Sequence, residues 1–129
     1  MKSRNFIHYR PSKYKNKTCF VDGIRFDSRR EADYYGQLKI EKRAGLVKDF
    51  KRQVEFDLAA WTPIPCGGAA HLLTRNCEKV CSHKVDFLVT LNDGSQEVRE
   101  VKGFETDIWH LKRKLFEANY PSIKYRVVR

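Results

Sequence analysis

Three residues of this 129-residue sequence carry its strongest chemical signal: Asp86 in "VDFLV", and Glu100 and Lys102 in "EVREVKG". An unpaired carboxylate inside an apolar run is costly, so Asp86 needs a partner or a task. Glu100 and Lys102 lie two positions apart on an alternating stretch and so share one face of a strand. The turn "NDG" at 92–94 suits a three-residue hairpin loop, with Asn92 and Asp93 in a type I turn and Gly94 left-handed. In that register Leu91 faces Ser95, Asp86 lies opposite Glu100, and Lys102 lies opposite Lys84. Two carboxylates with Cβ atoms about 5 Å apart repel each other. A hard divalent cation such as Mg²⁺ held between them removes the conflict. A shift of register by one residue separates the acids instead, and Glu100 then pairs with Lys102 or Arg99 at the surface.

The elements that must position these residues are legible on either side. "TCFVDGIRFD" (18–27) reads as a hairpin around Asp22-Gly23. Ser28 followed by Glu31 forms a capping-box pattern and Gly45 suits the residue after a helix, which predicts a helix over 28–44. Its inward stripe runs through Tyr34, Tyr35 and Leu38, with Glu31 on the same side. Strands are expected at 53–61, 84–91, 95–103 and in "IKYRVVR". A second helix starts at Thr106 or Asp107 and stops at Pro121, with Ile108, Leu111, Leu115 and Ala118 at helical spacing. The expected architecture is α/β or α+β: a mixed sheet of three meandering strands plus one returning after a helix, with helices on its faces.

Residues 62–83 break the strand pattern with two prolines, two glycines and three cysteines. Cys66, Cys77, Cys81 and His83 have the right donors for a tetrahedral structural Zn²⁺, with His71 in reserve. Their spacing matches no common finger type, and buried free thiols with a loop histidine explain it as well. Cys19 belongs with the core of the first hairpin.

The chain carries a net charge of +10, concentrated at its ends. Residues 1–20 hold six Lys/Arg and no acid, and residues 110–129 hold six against one acid. Cationic arms around a near-neutral body attract polyanions, which points to nucleic acid, with charge kept only for solubility as the alternative. The expected contacts are Arg4, Arg10, Lys13, Lys15 and Lys17 in a flexible basic arm over 1–17, with Phe6, Tyr9 and Tyr14 interleaved as stacking platforms. Lys112, Arg113 and Lys114 on the second helix join them, or form an ordinary solvated face. The length suits a single domain over 18–129. No apolar run suffices for a membrane span, and the first residues lack a signal-peptide core, so a cytoplasmic protein is expected.

Asp86 followed by Glu100-Val101-Lys102 resembles the D…E-x-K core of the PD-(D/E)XK nuclease superfamily. The "FDS-x-x-E" helix start, the Gln53 strand and the "E-x-KGF-x-T-D" segment together resemble a family of small phage and prophage proteins of that superfamily. The resemblance covers roughly 18–61 and 84–125, leaving 62–83 unmatched. The proline that often precedes the first acid is Val85 here, and it takes no part in the chemistry. The resemblance implies a restriction-endonuclease-like core with a central four-stranded sheet flanked by helices. It implies an Mg²⁺- or Mn²⁺-dependent endonuclease acting on duplex or branched DNA in the host cytoplasm, in phage recombination, packaging or genome processing. A homodimer is expected for cutting two strands. Asp86 and Glu100 match the metal-binding pair, with the Val101 carbonyl a further ligand, and Lys102 matches the lysine that positions or deprotonates the attacking water. Glu31 matches the helix-borne acid that completes the metal shell, although a capping box alone accounts for a Glu there. Gln53 is an orienting amide beside the site or an ordinary polar strand residue. A branched-DNA resolvase and a non-catalytic, zinc-stabilised binding module are the alternatives.

Overall fold

In the computed structural model, residues 17–63 and 75–129 are described, the side chains of 61–63 and 75–77 excepted. The basic arm up to residue 16, with Arg4, Arg10, Lys13 and Lys15, lies outside them, as does Cys66. The chain runs β1 (Cys19–Val21), β2 (Ile24–Phe26), α1 (Arg29–Arg43), β3 (Asp49–Pro63), β4 (Arg75–Thr90), β5 (Gln96–Val101), α2 (Asp107–Asn119) and β6 (Lys124–Val128). This is an α+β fold with a mixed sheet ordered β3-β4-β5-β6, antiparallel except for the parallel β5–β6 pair. Among the described residues no helix is long and apolar enough to cross a membrane.

Local chemistry sets the ends of α1. Ser28 Oγ accepts the Glu31 N–H, satisfying one of the unpaired donors of the first turn. At the other end Gly45 turns left-handed (φ +75°), and the Gly45 and Leu46 N–H groups bond the Lys42 and Glu41 carbonyls, a Schellman closure. The first hairpin turns through Asp22 and Gly23, both with positive φ, as a primed two-residue turn requires.

Two apolar layers hold the sheet between the helices. Leu38 of α1 packs with Val47, Phe87 and Val89 on one side. Trp109 and Phe116 of α2 pack with Leu58, Val85, Leu88, Val98 and Tyr125 on the other. Complete burial of Phe87 and Phe116 stabilises the two layers by roughly 2–3 kcal/mol each.

Two expectations need correction. The helical spacing of Ile108, Leu111, Leu115 and Ala118 does not mark the buried face of α2: Ile108 and Leu111 are 70% and 68% exposed, Leu115 packs against the core, and Trp109 and Phe116 are buried. Both stripes satisfy the helical period, and the aromatic pair removes more apolar area from water. Residues 62–83 are also less irregular than their composition suggests, since β4 starts at Arg75 and pairs with β3 as far as Pro63. Main-chain ladder bonds form regardless of side-chain polarity, so Cys, His and Lys positions extend the hairpin. A bulge at Leu58/Ala59 interrupts it. There the Asn119 side chain bonds both main-chain groups of Ala59, replacing the lost ladder and fixing the end of α2.

Candidate functional site

The loop at 92–94 forms as its sequence implies. Gly94 has φ +87°, and the Leu91 N–H bonds the Ser95 carbonyl. The resulting register pairs Phe87 with Arg99 and Leu88 with Val98, so its continuation brings Asp86 level with Glu100. The β4–β5 ladder stops one pair short of that point. Lys102 therefore has no ladder partner in Lys84; its N–H bonds the Val128 carbonyl of β6.

Side chains replace the missing rungs. The Asp86 N–H donates to Glu100 Oε2 at 3.0 Å, and the Val101 N–H donates to Asp86 Oδ2 at 2.9 Å. Each carboxylate thus reaches across to the opposite strand's main chain, which holds both acids at the splayed end of the sheet. The β3–β4 ladder opens at the same level, because Gln53 (φ +52°) and Asp86 fall unpaired between Arg52–Phe87 and Val54–Val85. Left-handed backbone at a non-glycine residue costs energy and tends to be retained at functional positions. Here it accompanies a switch of faces along β3, with Phe50 packed toward α1 and Val54 toward α2.

Glu31 enters from the first turn of α1 and is 7% exposed. Its Oε1 accepts from Gln53 Nε2 at 3.1 Å, so the side chain turns toward the sheet. Lys102 Nζ stands 3.5 Å from Glu100 Oε1 and 5.7 Å from the Trp109 ring centre. The structure therefore brings Glu31, Gln53, Asp86, Glu100 and Lys102 to one end of the sheet.

The electrostatics follow from burial and like charge. Burial pushes the Glu100 carboxyl up to about 7, with the neighbouring Asp86 charge adding to it. Burial also raises Asp86, against the Val101 N–H bond and the Lys102 and Arg52 charges that favour its ionised form. Glu31 is raised by burial and then by Asp86, partly offset by Gln53 and Arg52. Three hard oxygen donors that resist ionisation through burial, two of them also through the Asp86 charge, suit a divalent cation. The acids stand beside one another rather than closed around a point: among the described residues, no group of three or more His, Cys, Asp or Glu residues is arranged to hold an ion.

Three neighbours escaped the sequence reading. The Arg52 guanidinium lies 4.2 Å from the Phe26 ring centre and 3.9 Å from Glu31 Oε1. The Asp27 charge acts on both Glu31 and Asp86. Arg30 reaches the end of β5, where a Cβ on Gly103 would sit 3.3 Å from one of its terminal nitrogens. Adjacency of Arg52 to Gln53, and of Asp27 and Arg30 to Ser28 and Glu31, was the available signal.

Of the expected zinc donors, the side chains of Cys81 and His83 are described. His83 is buried, with Nε2 at 2.9 Å from the Tyr125 hydroxyl, and burial lowers its pKa to about 4, with the Lys112 and Lys102 charges adding to the shift. Cys81 packs against the α2-side core. The Cys77 side chain and Cys66 lie outside the described residues. Of the expected DNA contacts, Lys17 and Lys114 are exposed. Lys112 donates to the Ser82 carbonyl at 2.9 Å, and Arg113 bonds Glu117 while lying over Tyr125.

A family model described as "Protein of unknown function (DUF1064)" matches residues 11–129. No curated protein and no solved structure matches the chain.

Proposed function

We propose that this chain, which belongs to the DUF1064 family, is a metal-dependent DNA endonuclease with a PD-(D/E)XK core. The observation that carries this reading is the bonding of the Glu100 carboxylate to the Asp86 N–H and of the Asp86 carboxylate to the Val101 N–H at the splayed strand ends, with Lys102 beside Glu100. A purely structural sheet has no need to bury two adjacent carboxylates whose burial raises the pKa of both.

Asp86, Glu100 and the Val101 carbonyl would hold Mg²⁺ or Mn²⁺, with Glu31 completing the set directly or through water. The bound ion would lower the pKa of a water molecule and offset charge on the phosphate undergoing attack. The protein's own residues do the rest. Lys102 presents its ammonium to the phosphate and orients the attacking water, and the Trp109 ring beneath limits its freedom. The Gln53 amide holds the Glu31 carboxylate toward the sheet. Asp86 and Glu100, tied to main-chain N–H groups of neighbouring strands, are positioned before substrate arrives.

Supercoiled, linear duplex, single-stranded and four-way-junction DNA incubated with Mg²⁺, Mn²⁺ or EDTA test the proposal. Cleavage dependent on the ion is expected. Cleavage undiminished by EDTA would contradict the metal role, and cutting confined to junctions would identify a resolvase.

A further inference from the structure

Arg52 of β3 stands beside the acids, and its side chain is still 20% exposed. We propose that Arg52 is a substrate-binding residue of the acidic site, its guanidinium taking a phosphate of the DNA strand through paired N–H groups, on the side of Asp86 opposite Lys102. The proposal takes from the nuclease reading only that the ligand is DNA.

Strained backbone brings this cation to the site. Successive residues of a strand point to opposite faces. Arg52 and Gln53 nevertheless reach the same oxygen of Glu31, Gln53 Nε2 at 3.1 Å and Arg52 Nη2 at 3.9 Å. The left-handed Gln53 (φ +52°) makes this possible, and such strain tends to be kept where a site uses it. Gln53 takes the hydrogen bond, so Arg52 is held near the carboxylate without bonding it. Because β4 lies between β3 and β5, Arg52 on β3 and Lys102 just past β5 flank Asp86 from its two neighbouring strands. A phosphodiester chain crossing the acids then meets a cation on either side.

The contacts that Arg52 makes do not use up its donors. Its guanidinium lies 4.2 Å from the Phe26 ring centre and 5.9 Å from that of Tyr35, contacts that hold the group in place and leave its N–H edge to other partners. Nη2 donates to the Arg25 carbonyl at 3.5 Å, the outer limit of a hydrogen bond. Nε–H is buried with no acceptor among the described residues. Arg99 shows what a structural arginine looks like in the same fold, since its Nε and Nη1 bond Glu97, Glu41 and Tyr34. Arg52 has no such set, and the planar fork it keeps available matches the oxygens of a phosphate.

Fluorescence anisotropy with a labelled DNA duplex in EDTA, repeated over a range of salt, separates binding from hydrolysis. Arg52→Gln should make the slope of log affinity on log salt shallower by about 0.9, as loss of one phosphate contact does for a duplex. Arg52→Lys keeps the charge and should keep the slope, but without the fork it should bind roughly fivefold more weakly. An unchanged slope in Arg52→Gln, the behaviour of a mere counter-ion for Glu31, would overturn the assignment. Full affinity in Arg52→Lys would overturn it as well, and that variant decides should Arg52→Gln fail to fold. So would a wild-type chain that binds no duplex. If the slope falls while the wild-type chain cuts nothing in Mg²⁺ or Mn²⁺, the contact stands and the nuclease reading falls. Wild-type cleavage with an unchanged slope does the reverse.

Discussion

Strand β5 carries two sets of buried charge, one toward each face of the sheet, and they are built on opposite principles. Toward α1, Arg99 bonds Glu97 through Nε, and Glu41 at 2.8 Å and the Tyr34 hydroxyl at 3.2 Å through Nη1. Burial acts against the charged guanidinium, yet these partners hold its pKa above the ordinary arginine value. Arg99 in turn keeps Glu41 below the usual carboxylate range despite burial. One residue further, Glu100 is 2% exposed and meets Asp86 and Lys102 instead. Opposite charges satisfy one another in the first set; in the second, like charges are forced together and titrate as a group. The first set has the properties of a structural device, and the second is the one proposed above to hold a cation.

Breaking the satisfied set should have the larger effect on folding. Arg99→Ala leaves Glu97 and Glu41 without their main partner, and is expected to cost about 3–5 kcal/mol. That lowers the thermal midpoint by roughly 10–20 °C, measurable by calorimetry. A change of a few degrees would mean that the two sets are not energetically distinct.

Relieving the strained set should act in the opposite direction. A carboxyl whose folded pKa lies above its unfolded value contributes stability that is complete below about 4.5 and is lost as pH rises through about 7. In EDTA, Glu100→Gln should therefore stabilise the protein at pH 8 by about 1–3 kcal/mol. His83 has the reverse sign: its contribution is present above 6.5 and lost as pH falls toward about 4. The variant should then gain stability from pH 4 to 6.5, where the two groups oppose each other in the wild-type chain. Urea titrations across pH test this, and a variant less stable than wild type at pH 8 would refute the repulsion account.

A smaller effect is expected from the cation itself. Mg²⁺ at ten times its dissociation constant should stabilise the wild-type chain by about 1.4 kcal/mol at pH 8. The shift should fade at pH 5, where protons occupy the acids, and disappear in Glu100→Gln. An equal shift in that variant would place the ion elsewhere.

The two sets were not equally legible in the sequence. The acid pair was readable because a three-residue turn with Gly94 at its left-handed position fixes the register of β4 and β5, and register determines which side chains meet. Glu31 was readable from its capping position and the stripe it shares with Leu38. The Arg99 cluster was not, since Glu97 and Arg99 alternate like any solvated strand edge and only the packing of α1 buries them. The helical spacing noted in α2 did not mark its buried face, because two stripes fit one period. The left-handed turn at Gln53 had no signal at all: glutamine is not a residue expected there, and the opening of two ladders around Asp86 is a tertiary effect. The length of β4 was hidden by polar side chains on a main chain that pairs regardless of them.

Cleavage of supercoiled plasmid in Mg²⁺ by wild type, Glu100→Ala and Lys102→Ala, with DNA binding followed in parallel, tests the central claim most directly. The account predicts at least about a hundredfold loss of cleavage in both variants, with binding retained. Cleavage at the wild-type rate in either variant would contradict it.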